Sequence, residues 1–174
     1  MNPPEKQTGF TLLELAVTII AIAILVSIFL NRMQRYQELA EKTVVEATVA
    51  NMRTGLRYRI AELMINGRMN EMDNLSRENP MLWLKASPSN YVGQFAQAQD
   101  QRIPPGSWYF NPRQHELVYL LQRSRYFKPG PDGQKVIRFR VITSTQKQSA
   151  NTSARVEGIS LAPVGSYDWP VFNR

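Results

Sequence analysis

Residues Phe10 to Leu30, FTLLELAVTIIAIAILVSIFL, form a 21-residue apolar run that carries one charge, Glu14. As a helix this run rises about 31 Å, enough to cross a hydrocarbon core. A removable secretory signal fits it poorly. Ala21-Ile22-Ala23 has the small residues of a cleavage site, but the run continues to Leu30, and the leader MNPPEKQTG carries a glutamate and a single lysine. A plain single-span anchor fits the length and leaves Glu14 unexplained. A carboxylate inside such a run costs roughly 2.5–3.5 kcal/mol at a helix centre and less near the end, so a partner is expected. Cutting the chain between Gly9 and Phe10 would create an ammonium four residues before Glu14, on the same helix face.

Gly9-Phe10-Thr11-Leu12-Leu13-Glu14, followed by the apolar run, resembles the class III signal of type IV pilins and type II secretion pseudopilins. The resemblance covers about the first 30 residues. It implies cleavage after Gly9 by a prepilin peptidase, N-methylation of Phe10 by the same enzyme, and an assembly role for Glu14. It also implies a leader in the bacterial cytoplasm, one inner-membrane span, and a periplasmic C-terminal domain that later joins a pilus or pseudopilus. Flanking charge does not set that orientation: Lys6 and the N-terminal amine precede the run, and Arg32 and Arg35 follow it. The implied partners are the peptidase, other pilin or pseudopilin subunits, an inner-membrane platform protein and, indirectly, an assembly ATPase. Many members of the family carry a proline and a glycine where this chain has Asn31 and Ala23, so the helix melting seen in some filaments is not implied for residues 31–36.

Helical periodicity continues past the run. Val45, Val49, Met52, Leu56, Ile60 and Leu63 make one stripe, with Glu38, Lys42, Glu46, Arg53, Arg57 and Arg59 assigned to the other face. No proline occurs between Phe10 and Ile65, and Asn66-Gly67 is a stop signal. The chain therefore divides into a leader (1–9), a membrane or filament-core helix (10–30), its amphipathic continuation (31–66), an irregular connector with short helices (67–105) and a β region (106–174). In the connector, Asn79-Pro80 opens a short helix, Ser87-Pro88-Ser89-Asn90 breaks it, and Gln94–Gln101 reads as a loop or helical turn. Ser107–Phe110, Glu116–Gln122, Lys135–Ser144 and Arg155–Ala162 read as strands separated by turn signals. The tail from Val164 is expected to cover an edge of the sheet. The fold class is α+β: a long N-terminal helix, membrane-spanning in its first half, packed on an antiparallel sheet of about four strands. Trp108-Tyr109-Phe110-Asn111 followed by Glu116-Leu117-Val118-Tyr119 resembles minor pilins and pseudopilin-like proteins of mannose-sensitive-haemagglutinin-type pilus systems.

Little else in the sequence carries chemistry. With no cysteine and one histidine, His115, thiolate and His-pair metal sites are excluded. No nucleophile stands at a recognisable spacing from His115, so no catalytic residue is assigned and an enzyme is not expected. Asp132 and Asp168 are too far apart in sequence to suggest the calcium loop of some pseudopilins, so neither metal nor cofactor is expected. Asn151-Thr152-Ser153 matches a glycosylation acceptor only as a three-residue pattern. The formal charge is +7. Arg123, Arg125 and Lys128 interleave with Tyr126 and Phe127, a pattern that can grip single-stranded nucleic acid. A solvated basic face that meets acidic neighbours is the preferred reading of that charge. The expected role is a structural subunit of a filament, a minor pilin or pseudopilin. The alternatives are a DNA- or surface-binding pilin and a permanently anchored periplasmic binding domain.

Overall fold

The structure, a computed structural model, describes residues 11–96, 103–146 and 155–171. One long helix, α1 (Leu12–Ile65), opens it. Thr11 caps the N-terminus, its Oγ1 accepting from the Glu14 backbone N–H at 3.3 Å. The Asn66-Gly67 stop works through a Schellman turn. Gly67 takes φ +68°, the Arg68 N–H reaches the Leu63 carbonyl at 2.8 Å, and the Gly67 N–H reaches that of Met64 at 3.2 Å. Residues 31–36 remain helical, and the Asn31 side chain donates to the Ser27 carbonyl at 3.1 Å.

Contacts divide the chain into two compact units, Met1–Gln37 and Glu38–Arg174. In the first, the described residues are exposed on every helix face as far as Tyr36. In the second, α1 buries Val45, Val49, Met52, Leu56 and Leu63, the stripe read from periodicity.

The sheet has five strands in the order β1 (Tyr91–Gln94), β2 (Trp108–Asn111), β3 (Glu116–Leu120), β4 (Val136–Gln146) and β5 (Arg155–Pro163). The last four form the antiparallel meander. The additional strand, β1, lies in the segment read as a connector and runs parallel to β2, with Tyr91 opposite Trp108. Four residues starting after Pro-Ser-Asn give too short an alternation to identify; pairing to β2, through bonds such as Phe95 N–H to the Phe110 carbonyl at 2.9 Å, makes it a strand. Gln94 therefore ends a strand, and residues 97–101 of the expected loop lie outside the described residues, as do 151–153.

The connector also holds two 3-10 helices, Met69–Ser76 and Pro80–Trp83. Asn79 caps the second by accepting from the Met81 N–H at 3.1 Å, and Met81 is fully buried. That helix lies so close to α1 that a Cβ on Gly55 would sit 2.7 Å from the Trp83 carbonyl oxygen.

Alternation sets the two faces of the sheet. Trp108, Phe110, Leu117, Tyr119, Ile137, Phe139, Val141 and Leu161 join the α1 stripe in the main core. Leu56, Leu63, Met72 and Leu75 form a second core under the first 3-10 helix. The opposite face of the sheet carries Tyr109, Val118, Glu116, Arg138 and Arg140, matched in register across β2, β3 and β4. The tail pairs with the β3–β4 loop through Lys128 and Asp168, and buries Trp169 and Val171 in the main core.

Candidate functional site

The described part of α1 contains one segment long and apolar enough to cross a membrane. None of that segment is buried by the described residues. Glu14 lies in its first turn and is exposed. Thr11 and Glu14 stand at the N-cap and N3 spacing of a capping box, visible in sequence as Thr-x-x-Glu. A carboxylate there also meets the positive end of the helix dipole. Glu14 thus has a local structural role besides any partner it finds. Gly9 and Phe10, the expected cleavage and methylation residues, lie outside the described residues.

Two further carboxylates on α1 organise the domain, and the sequence reading did not single them out. Glu38 is 1% exposed, so its assignment to the solvated helix face is corrected. Its Oε1 accepts from the Tyr126 backbone N–H at 3.0 Å and from Trp169 Nε1 at 2.8 Å. One turn later, Glu41 Oε1 accepts from the Tyr119 hydroxyl at 3.0 Å and the Gln122 N–H at 2.6 Å, and Oε2 from the Arg123 N–H at 2.9 Å. Lys42 Nζ donates to the Trp169 carbonyl at 2.9 Å. Helix, β3–β4 loop and tail are thereby joined through groups far apart in sequence. A signal was present: Glu38, Val45 and Met52 are spaced by seven, which places Glu38 in line with the buried stripe. Burial and the neighbouring Glu41 carboxylate push the Tyr119 hydroxyl well above its ordinary range.

On the other face of the sheet, buried Glu116 accepts from Arg140 Nη2 at 2.5 Å and stands 4.0 Å from Arg138 Nε. Arg138 also binds Asp132 and Gln134, and its hydrogen bond holds the Asp132 carboxyl below the usual carboxylate range. Arg59 pairs with Glu62, Arg68 with Glu71 and Lys128 with Asp168, so several cations behind the +7 charge meet acids within the chain. Phe127, one of the aromatics interleaved with the basic residues, is buried. It stacks on Tyr167 at 5.7 Å and meets Trp169 edge-on at 5.8 Å.

His115 occupies the tight β2–β3 turn at φ 52°, where Asn111 Oδ1 accepts from the Arg113 and Gln114 N–H groups. Among the described residues, no three metal-ligating side chains gather. A groove of about 430 Å³ runs beside α1, floored by Val45, Val49, Phe139 and Trp169 and rimmed by Lys42 and Arg53. Both cations are engaged, Lys42 as above and Arg53 Nε by donating to the Leu161 carbonyl at 3.2 Å.

No protein-family model, curated protein or solved structure matches this chain. The functional reading therefore rests on its own residues.

Proposed function

We propose that this chain is a structural subunit of a type IV pilus-like or type II secretion-like filament, a minor pilin or pseudopilin and not an enzyme. A prepilin peptidase cuts after Gly9 and methylates Phe10. The span holds the subunit in the inner membrane with its α+β domain in the periplasm. A platform protein and an ATPase then move it into a filament whose other subunits cover the apolar helix.

The observation that carries this reading is the first part of α1. From Leu12 to Leu30 it is exposed within the chain on every side, and its one charge, Glu14, lies in the first turn directly after Gly9-Phe10. Such a surface needs lipid or other helices around it. A Phe10 ammonium, its own or a neighbour's, would compensate Glu14 on docking.

The test is the N-terminal mass of the chain expressed with and without a prepilin peptidase. A product beginning at N-methyl-Phe10 is expected. Glu14→Ala is expected to be processed normally and to be incorporated poorly into filaments; normal incorporation removes the assembly role. The Thr11–Glu14 cap favours a second reading, a permanently anchored domain in which Glu14 only starts the helix. An intact Met1 in the presence of the peptidase would decide for that one.

A further inference from the structure

We propose that the groove beside α1 is a docking site for an extended segment of a partner protein, one that carries a carboxylate side chain next to an apolar one. The inference goes beyond the proposed function, because it concerns the second unit alone and needs neither cleavage nor a span.

Every residue that lines the groove belongs to the second unit, so its shape does not depend on where the apolar helix lies. One wall is α1 from Lys42 to Arg53. A helical wall of that extent is about 16 Å long, the length of roughly five residues of extended chain. The other wall is formed where β5 passes into the tail, at Pro163 and Tyr167. β5 ends the sheet order, so no strand lies along its outer side. The Val164 N–H bonds the Arg138 carbonyl at 2.8 Å, and alternation from that pair turns the Leu161 carbonyl outward. Arg53 Nε meets it there at 3.2 Å. An apolar-floored slot beside a strand edge fits an extended peptide, whose alternate side chains point to one side.

The polar groups decide which peptide. Arg53 spends only Nε, and its two Nη groups have no partner among the described residues. The same holds for the Tyr167 hydroxyl. Burial raises that hydroxyl's pKa, and Glu46 and Arg53 are both close enough to act on it. The acids around the groove have donors of their own. Glu38 and Glu41 accept from the β3–β4 loop, and Glu38 also from Trp169. Asp168 faces Lys128. Glu46 stands on the rim, 3.9 Å from Lys42, whose Nζ also holds the Trp169 carbonyl. The open donors are therefore those of Arg53 and Tyr167, and directed hydrogen bonds, more than net charge, select the ligand. The planar fork of a guanidinium fits a carboxylate. The floor of Val45, Val49 and Phe139 takes the apolar neighbour.

The full chain is reconstituted in zwitterionic lipid nanodiscs, which keep free detergent out of the groove. The probe is an amidated hexapeptide, threonine-valine-aspartate-phenylalanine-threonine-valine, carrying a neutral fluorophore at its N-terminus, so the aspartate is its only carboxylate. Binding is followed by fluorescence anisotropy. The probe is expected to bind below about 1 mM. Replacing its aspartate by asparagine is expected to weaken binding roughly tenfold, as is Arg53→Gln, and the two changes together should weaken it no further than either alone. Arg57→Gln removes the same charge one helical turn on, outside the groove, and is expected to stay within about twofold of the parent. Additive losses, or an equal loss from Arg57→Gln, overturn the proposal. So does the absence of binding up to about 1 mM. The asparagine probe needs no variant protein, so the carboxylate requirement is tested even if Arg53→Gln fails to fold. Free phenylpropionate is expected to compete at least about tenfold less well than the unlabelled peptide. Equal competition would make the groove a small-carboxylate site and overturn the docking of a peptide segment. Any of these failures leaves the processing reading, tested by the N-terminal mass, untouched.

Discussion

The two parts of α1 are built from similar apolar residues and are covered differently. From Val45 to Leu63 the apolar side chains form one stripe, and the sheet and the two 3-10 helices bury it. From Leu12 to Leu30 they surround the helix, and none of the described residues buries them. Burial of a Leu or Ile side chain is worth about 1.5–3 kcal/mol. In the later stretch that stabilisation belongs to the fold of the domain. In the earlier one no described residue of the chain supplies it. Pattern, more than hydrophobicity, separates a helix that completes its own domain from one that needs an outside partner.

Truncation on each side of the division tests this contrast most strongly. Met52→Ala, at a position with 0% exposure, is expected to lower stability by about 2–5 kcal/mol through lost burial and a cavity. Ile24→Ala, at 56% exposure, is expected to change domain stability by no more than about 0.5 kcal/mol. Urea unfolding of the full chain in mild detergent measures both. Trp83, Trp108 and Trp169 all belong to the second unit, so tryptophan fluorescence reports on that unit alone. An equal loss from Ile24→Ala would break the comparison.

A smaller effect is expected at Glu38, where the domain begins. Glu38→Ala leaves the Tyr126 N–H and Trp169 Nε1 without their acceptor, at a cost of about 1–3 kcal/mol. Glu38→Gln keeps an oxygen for these donors and is expected to lose less. The same unfolding experiment ranks the three proteins, and the Trp169 emission should shift most in the alanine variant. If alanine and glutamine cost the same, the paired acceptor role of Glu38 is wrong.

The smallest expected effect concerns pH. Tyr119 has its folded-state pKa raised above the ordinary 10.0, so the fold favours the neutral phenol. Its contribution to stability is complete below pH 10.0 and is lost as pH rises past that value. Tyr91, Tyr109 and Tyr167 are raised as well, each chiefly by burial, and act in the same direction. Tyr119→Phe loses the hydrogen bond to Glu41 and is expected to be slightly less stable at neutral pH. It should also lose less stability than the parent between pH 9 and 11, a window set around the ordinary tyrosine value of 10.0. Parallel stability profiles for the two proteins would exclude Tyr119 as a contributor to alkaline unfolding.

The sequence alone determined the elements whose signals are local and repeated. The unbroken helix from Leu12 to Ile65 follows from the absence of proline and the Asn66-Gly67 stop. The meander of β2 to β5 follows from alternation between turn residues, as in Ile137, Phe139 and Val141 against Arg138 and Arg140. The proposed processing motif at Gly9, Phe10 and Glu14 is likewise read from local register alone. What the tertiary structure decided depends on partners distant in sequence. Tyr91–Gln94 is a strand because β2 lies beside it. Glu38 is a buried acceptor because Tyr126, 88 residues away, and Trp169, 131 residues away, bring donors to it. A carboxylate in a helical stripe reads as solvated until something arrives to satisfy it, and only the folded chain shows what does.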